Sequence, residues 1–110
     1  MNTITTHVLD LCAGRPARHI GVRLERLGQD GASWELLAQA RADEEGRVRD
    51  WPGVPSAGVG RYRLTFAAAG HIPDAFFPEV AVVFDVQDPA ERYHVPLLLG
   101  PSGYTTYRGT

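Results

Sequence analysis

Cysteine is nearly absent from this 110-residue chain, which contains only Cys12. A single cysteine excludes an internal disulfide and any cysteine-rich metal site. No sequence motif places a general base beside Cys12. We therefore interpret it as a small packed side chain and not as a nucleophile.

Long hydrophobic runs are also missing from the chain. No segment approaches the roughly 18 consecutive apolar residues that a membrane-spanning helix requires. Residues 1–6 contain neither the basic segment nor the apolar core of a signal peptide. We therefore expect no membrane partner and a cytoplasmic location.

Neither sign of charge dominates, because 11 basic and 13 acidic residues are interspersed along the chain. No broad basic surface is predicted, so nucleic acid is not an expected partner. The chain also lacks a phosphate-binding glycine loop, a zinc-ligand spacing and a nucleophile elbow. Its histidines are too scattered for a local metal motif, and no metal is predicted; they are His7, His19, His71 and His94.

Apolar residues instead alternate with polar ones at a period of two, which is typical of half-buried β-strands. Four rows of apolar residues carry this pattern: Ile20, Val22 and Leu24; Trp34, Leu36 and Ala38; Tyr62, Leu64 and Phe66; and Val80, Val82, Phe84 and Val86. No window sustains a helical stripe. The chain is therefore predicted to be all-β and to form one domain over residues 1–110.

Turn signals between these rows divide the chain into about eight short strands, a spacing that is typical of a two-sheet sandwich. The predicted strands are residues 3–11, 20–28, 33–41, 47–50, 61–69, 78–86, 92–99 and 104–109. Residues 70–77 interrupt the alternation and contain Pro73, so we expect a short helical turn or a loop there.

The segment Tyr93–Leu99 has an unusual outer face. If Tyr93 and Val95 point into the core, alternation turns His94, Pro96 and Leu98 outward. Because Pro96 cannot donate a ladder hydrogen bond, its strand should be locally an edge or bulged. An apolar outer face beside a histidine favours a subunit interface that contributes to a site. A surface histidine beside a chance leucine is the alternative.

Taken singly, the polar candidates do not identify a reaction. His7 and His94 could each be a structural histidine, and Arg47 could be a solvated turn residue. From the residues alone, the chain is a β-sandwich with candidate polar groups.

Three separated segments resemble one family in the same order along the chain. Residues 5–10 (Thr-Thr-His-Val-Leu-Asp), followed by residues 14–17 (Gly-Arg-Pro-Ala), are similar to the opening signature of the transthyretin-like 5-hydroxyisourate hydrolases. Residues 45–48 (Glu-Gly-Arg-Val) resemble the family's Asp-Gly-Arg turn. Residues 93–99 and 103–110 resemble its closing strand pair and its terminal Tyr-Arg-Gly-Ser tetrapeptide. Residues 76–80 also match, so the resemblance covers nearly the whole chain.

The chain departs from the family pattern at a few positions. Glu45 replaces Asp, and residues 100–102 (Gly-Pro-Ser) replace Ser-Pro-Tyr. Thr110 replaces the common terminal Ser but retains a hydroxyl. Arg92 replaces a frequent His and would alter the rim of the site.

The resemblance implies a transthyretin-like sandwich of two four-stranded sheets with one short helix or turn. It also implies a homotetramer built as a dimer of dimers, whose active sites lie at the dimer–dimer interface. The implied reaction is hydrolysis of 5-hydroxyisourate to 2-oxo-4-hydroxy-4-carboxy-5-ureidoimidazoline in urate degradation, and no cofactor is expected.

The resemblance further implies roles for individual side chains. His7 and His94 would activate water and relay the proton to the leaving nitrogen, although the division between them stays open. Arg47 would bind the substrate and stabilise the oxyanion. Substrate binding would also involve His7 and three residues near the chain end: Tyr107, which would position the ring, Arg108, for which a structural ion pair is the alternative, and the Thr110 hydroxyl or carboxylate.

Two other functions remain open, because a fold does not determine a function. A transthyretin-like carrier would bind a small molecule without catalysis, but such a carrier lacks the terminal tetrapeptide and the His and Arg set. A non-catalytic interaction module would leave the matching motifs unexplained.

Overall fold

Two β-sheets pack face to face in the computed structural model, which describes residues 3–110. This part of the chain contains nine strands: β1 Ile4–Asp10, β2 Arg15–Pro16, β3 Gly21–Leu27, β4 Trp34–Arg41, β5 Arg47–Val48, β6 Gly60–Phe66, β7 Val80–Val86, β8 Tyr93–Leu99 and β9 Tyr104–Thr106. A one-turn 3₁₀ helix spans Ala68–Gly70. The all-β sandwich predicted from the alternation is therefore confirmed.

The first sheet has β1 and β8 at its centre, and these two strands run parallel. Strand β9 pairs with the far side of β8. The other edge of β1 is shared by two short strands, since β5 pairs with Thr6 and His7 whereas β2 pairs with Leu9 and Asp10. The sheet is thus four strands wide but contains five strands, because β2 and β5 share one edge. Strand β2 was not among the predicted strands.

The second sheet is antiparallel with the order β4-β3-β6-β7. The register between β3 and β4 shifts after Leu24, which pairs with Ala38, whereas the next residue, Glu25, pairs with Leu36. Leu37 is the extra residue of this bulge and packs against the core, so Leu36 is left 49% exposed. The predicted inward row Trp34, Leu36 and Ala38 is therefore wrong at Leu36 and also at Trp34, which shares the outer face with Leu36 and has its ring centre 4.4 Å from the Arg63 guanidinium.

The core lies between the sheets and is built from the alternating apolar rows. Ile4, Val8, Leu24, Leu64 and Phe66 are completely buried. Removing such side chains from water is the dominant favourable term in folding. The burial pattern of β1 alternates strictly, so its odd-numbered residues lie on the outer face of the first sheet.

Pro96 does not lie in an edge strand, contrary to the sequence prediction. Strand β8 pairs with β1 without a register shift and with β9 on its other side. Beside Pro96, only the hydrogen-bond ladder between β8 and the chain end is interrupted, because Pro96 has no N–H to donate. Its carbonyl accepts a hydrogen bond from the Thr106 hydroxyl at 2.8 Å instead. Pro96 is also buried, because Gly109 lies over its ring.

Several predicted boundaries were too long. Strand β5 ends at Val48, β6 ends at Phe66 where the chain turns toward the 3₁₀ helix, and β9 ends at Thr106. His71 is not a free surface residue, since its Nε2 lies 3.2 Å from a carboxylate oxygen of Asp10. No helix within residues 3–110 is long and apolar enough to cross a membrane.

Candidate active site

The outer face of β1 brings three predicted site residues together. His7 pairs directly with Arg47 of β5 on one side of the strand. On the other side, Thr5 lies beside His94 of β8. Residues two apart in a strand share a face, so His7 and Thr5 point to the same side of the sheet. His7, Arg47 and His94 are therefore neighbours although they are far apart in sequence.

A rigid turn positions Arg47 and fixes His7. The Asp43 carboxylate accepts hydrogen bonds from the backbone N–H groups of Glu45 and Arg47, each at 2.9 Å. Gly46 has a φ of +77°, and a Cβ there would collide with the carbonyl of Val8. Only glycine fits this position, because it adopts positive φ readily and has no side chain.

The turn also determines which nitrogen of His7 carries a proton. His7 Nε2 lies 2.9 Å from the carbonyl oxygen of Glu45. A carbonyl can only accept, so Nε2 donates, and in the neutral ring Nδ1 is the nitrogen with the free lone pair. Burial is the largest cause that lowers the pKa of His7, and the charge of Arg47 is the next. The hydrogen bond to the Glu45 carbonyl raises this pKa.

His94 is held from two sides. Its Nδ1 lies 2.8 Å from the Thr5 hydroxyl, and its carbonyl accepts the N–H of Gly109 at 2.8 Å. A Cβ at Gly109 would lie 2.6 Å from Cδ2 of His94, so the chain end can pass over this ring only as glycine. Burial lowers the pKa of His94 most, followed by the charges of Arg47 and His7.

A cleft of about 480 Å³ opens beside these residues. Four of the predicted site residues line it: Arg47, His94, Arg108 and Thr110. Its other lining residues are Thr5, Thr6, Arg49, Arg92 and Gly109. His7 adjoins the cleft through Arg47 without lining it.

Tyr107 is the one predicted residue that the single chain does not bring to this cleft or its edge. It is 56% exposed and lines a separate, mainly apolar cavity of about 230 Å³ with Val82 and Phe84 of β7. His94 and Arg108 line both cavities, so the two cavities adjoin at these residues.

Arg108 is held by protein groups as well as lining the cleft. Its guanidinium donates to the Glu91 carboxylate at 2.9 Å and lies 4.6 Å from the centre of the Tyr93 ring. These contacts match the alternative of a structural ion pair. They also hold Arg108 at the wall of the cleft.

Two residues with direct roles in the geometry were not singled out from the sequence. Thr5 contacts His94, and Arg49 lines the cleft. Alternation along β1 could have placed Thr5 on the face of His7. The parallel pairing with β8, which creates the contact, has no signal in the local sequence. Within residues 3–110, no group of three or more His, Cys, Asp or Glu side chains is placed to hold a metal ion.

The arrangement resembles that of known proteins over its whole length. The HIUase/Transthyretin family model matches residues 4–109. The 5-hydroxyisourate hydrolase of Caulobacter vibrioides is 42% identical, with 100% of both chains covered. The structure of Klebsiella pneumoniae 5-hydroxyisourate hydrolase is 31% identical with a TM-score of 0.83, again over 100% of both chains.

Transthyretin itself is also similar in shape. Sea bream transthyretin, solved in complex with thyroxine, has a TM-score of 0.88 at 25% identity over 98% of this chain and 95% of its own. The family model and the relatives match along nearly the whole sequence, and His7, Arg47 and His94 lie on one face of the first sheet: this chain belongs to the HIUase/Transthyretin family.

Proposed function

We propose that this protein is a 5-hydroxyisourate hydrolase that opens the substrate ring without a cofactor, giving 2-oxo-4-hydroxy-4-carboxy-5-ureidoimidazoline. One observation carries the proposal: strand pairing sets His7 beside Arg47 and on the same face of the sheet as His94, next to a cleft that Arg47 and His94 line. Burial and the charge of Arg47 lower the pKa values of both histidines. Two histidines that stay neutral beside a fixed cation can accept a proton while the cation stabilises a developing oxyanion.

Hydrolysis then proceeds in two stages at the cleft. One histidine removes a proton from water as the oxygen attacks the ring carbonyl carbon, and Arg47 stabilises the negative charge that forms on the carbonyl oxygen. The tetrahedral intermediate collapses by breaking the carbon–nitrogen bond, and the leaving nitrogen takes a proton from a histidine. The products of this ring amide cleavage are a carboxylate and a ureido nitrogen.

Nδ1 of His7 suits the role of proton acceptor, because the Glu45 carbonyl fixes the proton on Nε2. His94 interacts with Thr5 through Nδ1, so its Nε2 would exchange protons with water or substrate. Both rings are held by protein groups before substrate binds, which reduces the entropy lost on reaching the reactive geometry.

Residues of the cleft wall would bind the substrate. Arg47 and Arg108 would bind carbonyl oxygens of the ring, and the Thr110 hydroxyl would orient the water. Tyr107 would position the ring only where an assembled protein brings it near a cleft, since its side chain faces another cavity in the single chain.

The assembly that we propose is a homotetramer, a dimer of dimers, with the clefts at the dimer–dimer interface. Its support is the outer face of the first sheet, where the half-buried Leu9 and Leu98 lie in paired positions beside the cleft residues. Such a covered cleft would exclude water from the charged groups and strengthen their interactions.

A carrier without catalysis is not distinguished by shape, since the TM-score to sea bream transthyretin is at least as high as that to the Klebsiella enzyme. The site favours the hydrolase. A carrier requires no pair of neutral histidines beside a cation, whereas acid–base hydrolysis does.

Heavy-oxygen water provides a direct test of the reaction type. The protein is added to 5-hydroxyisourate generated in labelled water, and the product is analysed by mass spectrometry and NMR. We expect one labelled oxygen in the new carboxylate, formed faster than in the protein-free control. Binding of the substrate with no acceleration would support the carrier and contradict the proposal.

A further inference from the structure

The cleft is strongly cationic for a protein whose net charge is −2. Four arginines and His94 are among its lining residues, and no Asp or Glu side chain is, over the part of the chain that the structure describes. The arginines are Arg47, Arg49, Arg92 and Arg108. The proposed hydrolysis needs one guanidinium at the oxyanion, so this set exceeds the requirement of the chemistry.

Strand register divides the arginines into inner and outer groups. Arg47 pairs with His7, and Arg49 follows two residues later, beyond the end of β5, where it also lines the cleft. Strand β8 starts with Tyr93 beside Ile4, so Arg92 lies just before the strand and two residues from His94. Arg49 and Arg92 therefore flank the end of the cleft where β1 begins, away from the His7–Arg47 pair.

The carboxylates that contact Arg49 and Arg108 do not line the cleft. The Glu45 carboxylate is 3.6 Å from Arg49, but both side chains are more than half exposed and Glu45 does not line the cleft. Exposed pairs of this kind interact weakly in water. Glu91 contacts Arg108 and likewise lies outside the lining.

We propose that Arg49 and Arg92 form a carboxylate subsite at the outer end of the cleft. The inference rests on the proposed function, because opening a ring amide creates a carboxylate where the substrate had none. Guanidinium groups bind carboxylates through paired, charge-assisted hydrogen bonds. The subsite receives the new carboxylate as the ring opens. These two arginines therefore bind the product more tightly than the substrate.

A matched pair of probes isolates the charge. The carboxylate probe is 2-imidazolidone-4-carboxylate, and its uncharged counterpart is 2-imidazolidone-4-carboxamide. Both are titrated calorimetrically into the wild type and into the Arg49→Gln/Arg92→Gln double variant at low salt. The Arg41→Gln/Arg61→Gln double variant is the control, because it loses the same charge at exposed positions of the second sheet.

We expect the Arg49→Gln/Arg92→Gln variant to bind the carboxylate at least about 10-fold more weakly, the scale of losing a charge-assisted hydrogen bond. Its affinity for the carboxamide should stay within about two-fold. The control variant should bind both probes as the wild type does. Equal losses for both probes, no loss for the carboxylate, or the same loss in the control variant would each overturn the subsite.

This titration involves no turnover, so its outcome is separate from that of the proposed function. A wild type that fails to hydrolyse 5-hydroxyisourate contradicts the function, and the probes still report whether the carboxylate subsite exists. If the wild type hydrolyses 5-hydroxyisourate and the Arg49→Gln/Arg92→Gln variant discriminates between the two probes as the wild type does, only the subsite is contradicted.

Discussion

The Thr5 hydroxyl lies 2.8 Å from Nδ1 of His94, across the parallel strands β1 and β8. The hydrogen bond occupies one nitrogen of the half-buried ring and fixes its orientation. Under the proposed function, proton exchange with water or substrate would therefore use Nε2, and Thr5 would act through His94 as a positioning residue.

Replacing Thr5 by valine keeps the shape of the side chain and removes the hydrogen bond. We expect Thr5→Val to lower kcat by about 10-fold or more, because a misdirected catalytic ring loses its reactive geometry. Thr5→Ser should restore most of the activity and also the pH profile, since it restores the hydroxyl. Ser33→Ala, which removes an exposed hydroxyl between β3 and β4 of the second sheet, is the control. Wild-type kcat and an unchanged pH profile in Thr5→Val would remove Thr5 from the mechanism.

The pH dependence of the reaction should reflect the lowered histidine pKa values. A general base must be neutral, so the rate falls as the pH drops through its pKa. Because His7 and His94 have pKa values below the ordinary 6.5, the midpoint of this fall should lie below pH 6.5.

Arg47→Gln removes one cause of the lowered pKa values of His7 and His94 and leaves burial, the larger cause, in place. The pKa values of both histidines should therefore rise. NMR titration of the histidine ring protons measures this shift without turnover, and His19, which is exposed and paired with Glu44, serves as the internal control. Unchanged titration of both His7 and His94 would show that Arg47 does not act on them.

Gly109 provides a steric test of the ring of His94. Gly109→Ala places a Cβ about where the ring now lies, so we expect the ring to be displaced and turnover to fall by about 10-fold or more. Gly103→Ala adds the same methyl group where no atom lies within 4 Å, and it should retain activity. Comparable activity in both variants would contradict the described packing of the chain end on His94.

The sequence carried enough information for the fold class but not for all of the register. Alternation predicted the inward rows of β3, β6 and β7 because both faces of those strands differ in polarity. The bulge after Leu24 exchanges Leu36 and Leu37, and two adjacent leucines contain no signal for which one points inward. Pro96 was misassigned for a related reason, since Thr106 supplies a side-chain partner that no local pattern reveals.

The sequence predicted the candidate site as a set of residues and not as a geometry. His7, Arg47 and His94 were identified by resemblance, and strand pairing explains why they meet. The proton position on His7 depends on the backbone carbonyl of Glu45, which carries no side-chain signal. The position of Tyr107 away from the cleft depends on how the chain end lies across β8, which alternation does not determine.

Assembly can be tested at Leu98, a half-buried residue paired with Leu9 on the outer face of the first sheet. Leu98→Glu would bury an unpaired carboxylate in the proposed interface, so the variant should dissociate into smaller species. Light scattering of the wild type should give the mass of four chains. A wild-type mass of one chain, or an intact tetramer in Leu98→Glu, would contradict an interface on this face.

The most direct measurement is the decay of 5-hydroxyisourate itself, followed by ultraviolet absorbance after its generation from urate by urate oxidase. The account predicts that the wild-type protein accelerates this decay. It also predicts that His7→Ala, Arg47→Ala and His94→Ala each lose at least about 100-fold in turnover while they keep the fold. His19→Ala, at an exposed residue that does not line the cleft, should retain the wild-type turnover. A wild type that leaves the spontaneous decay unchanged, or alanine variants that match it, would contradict the central claim.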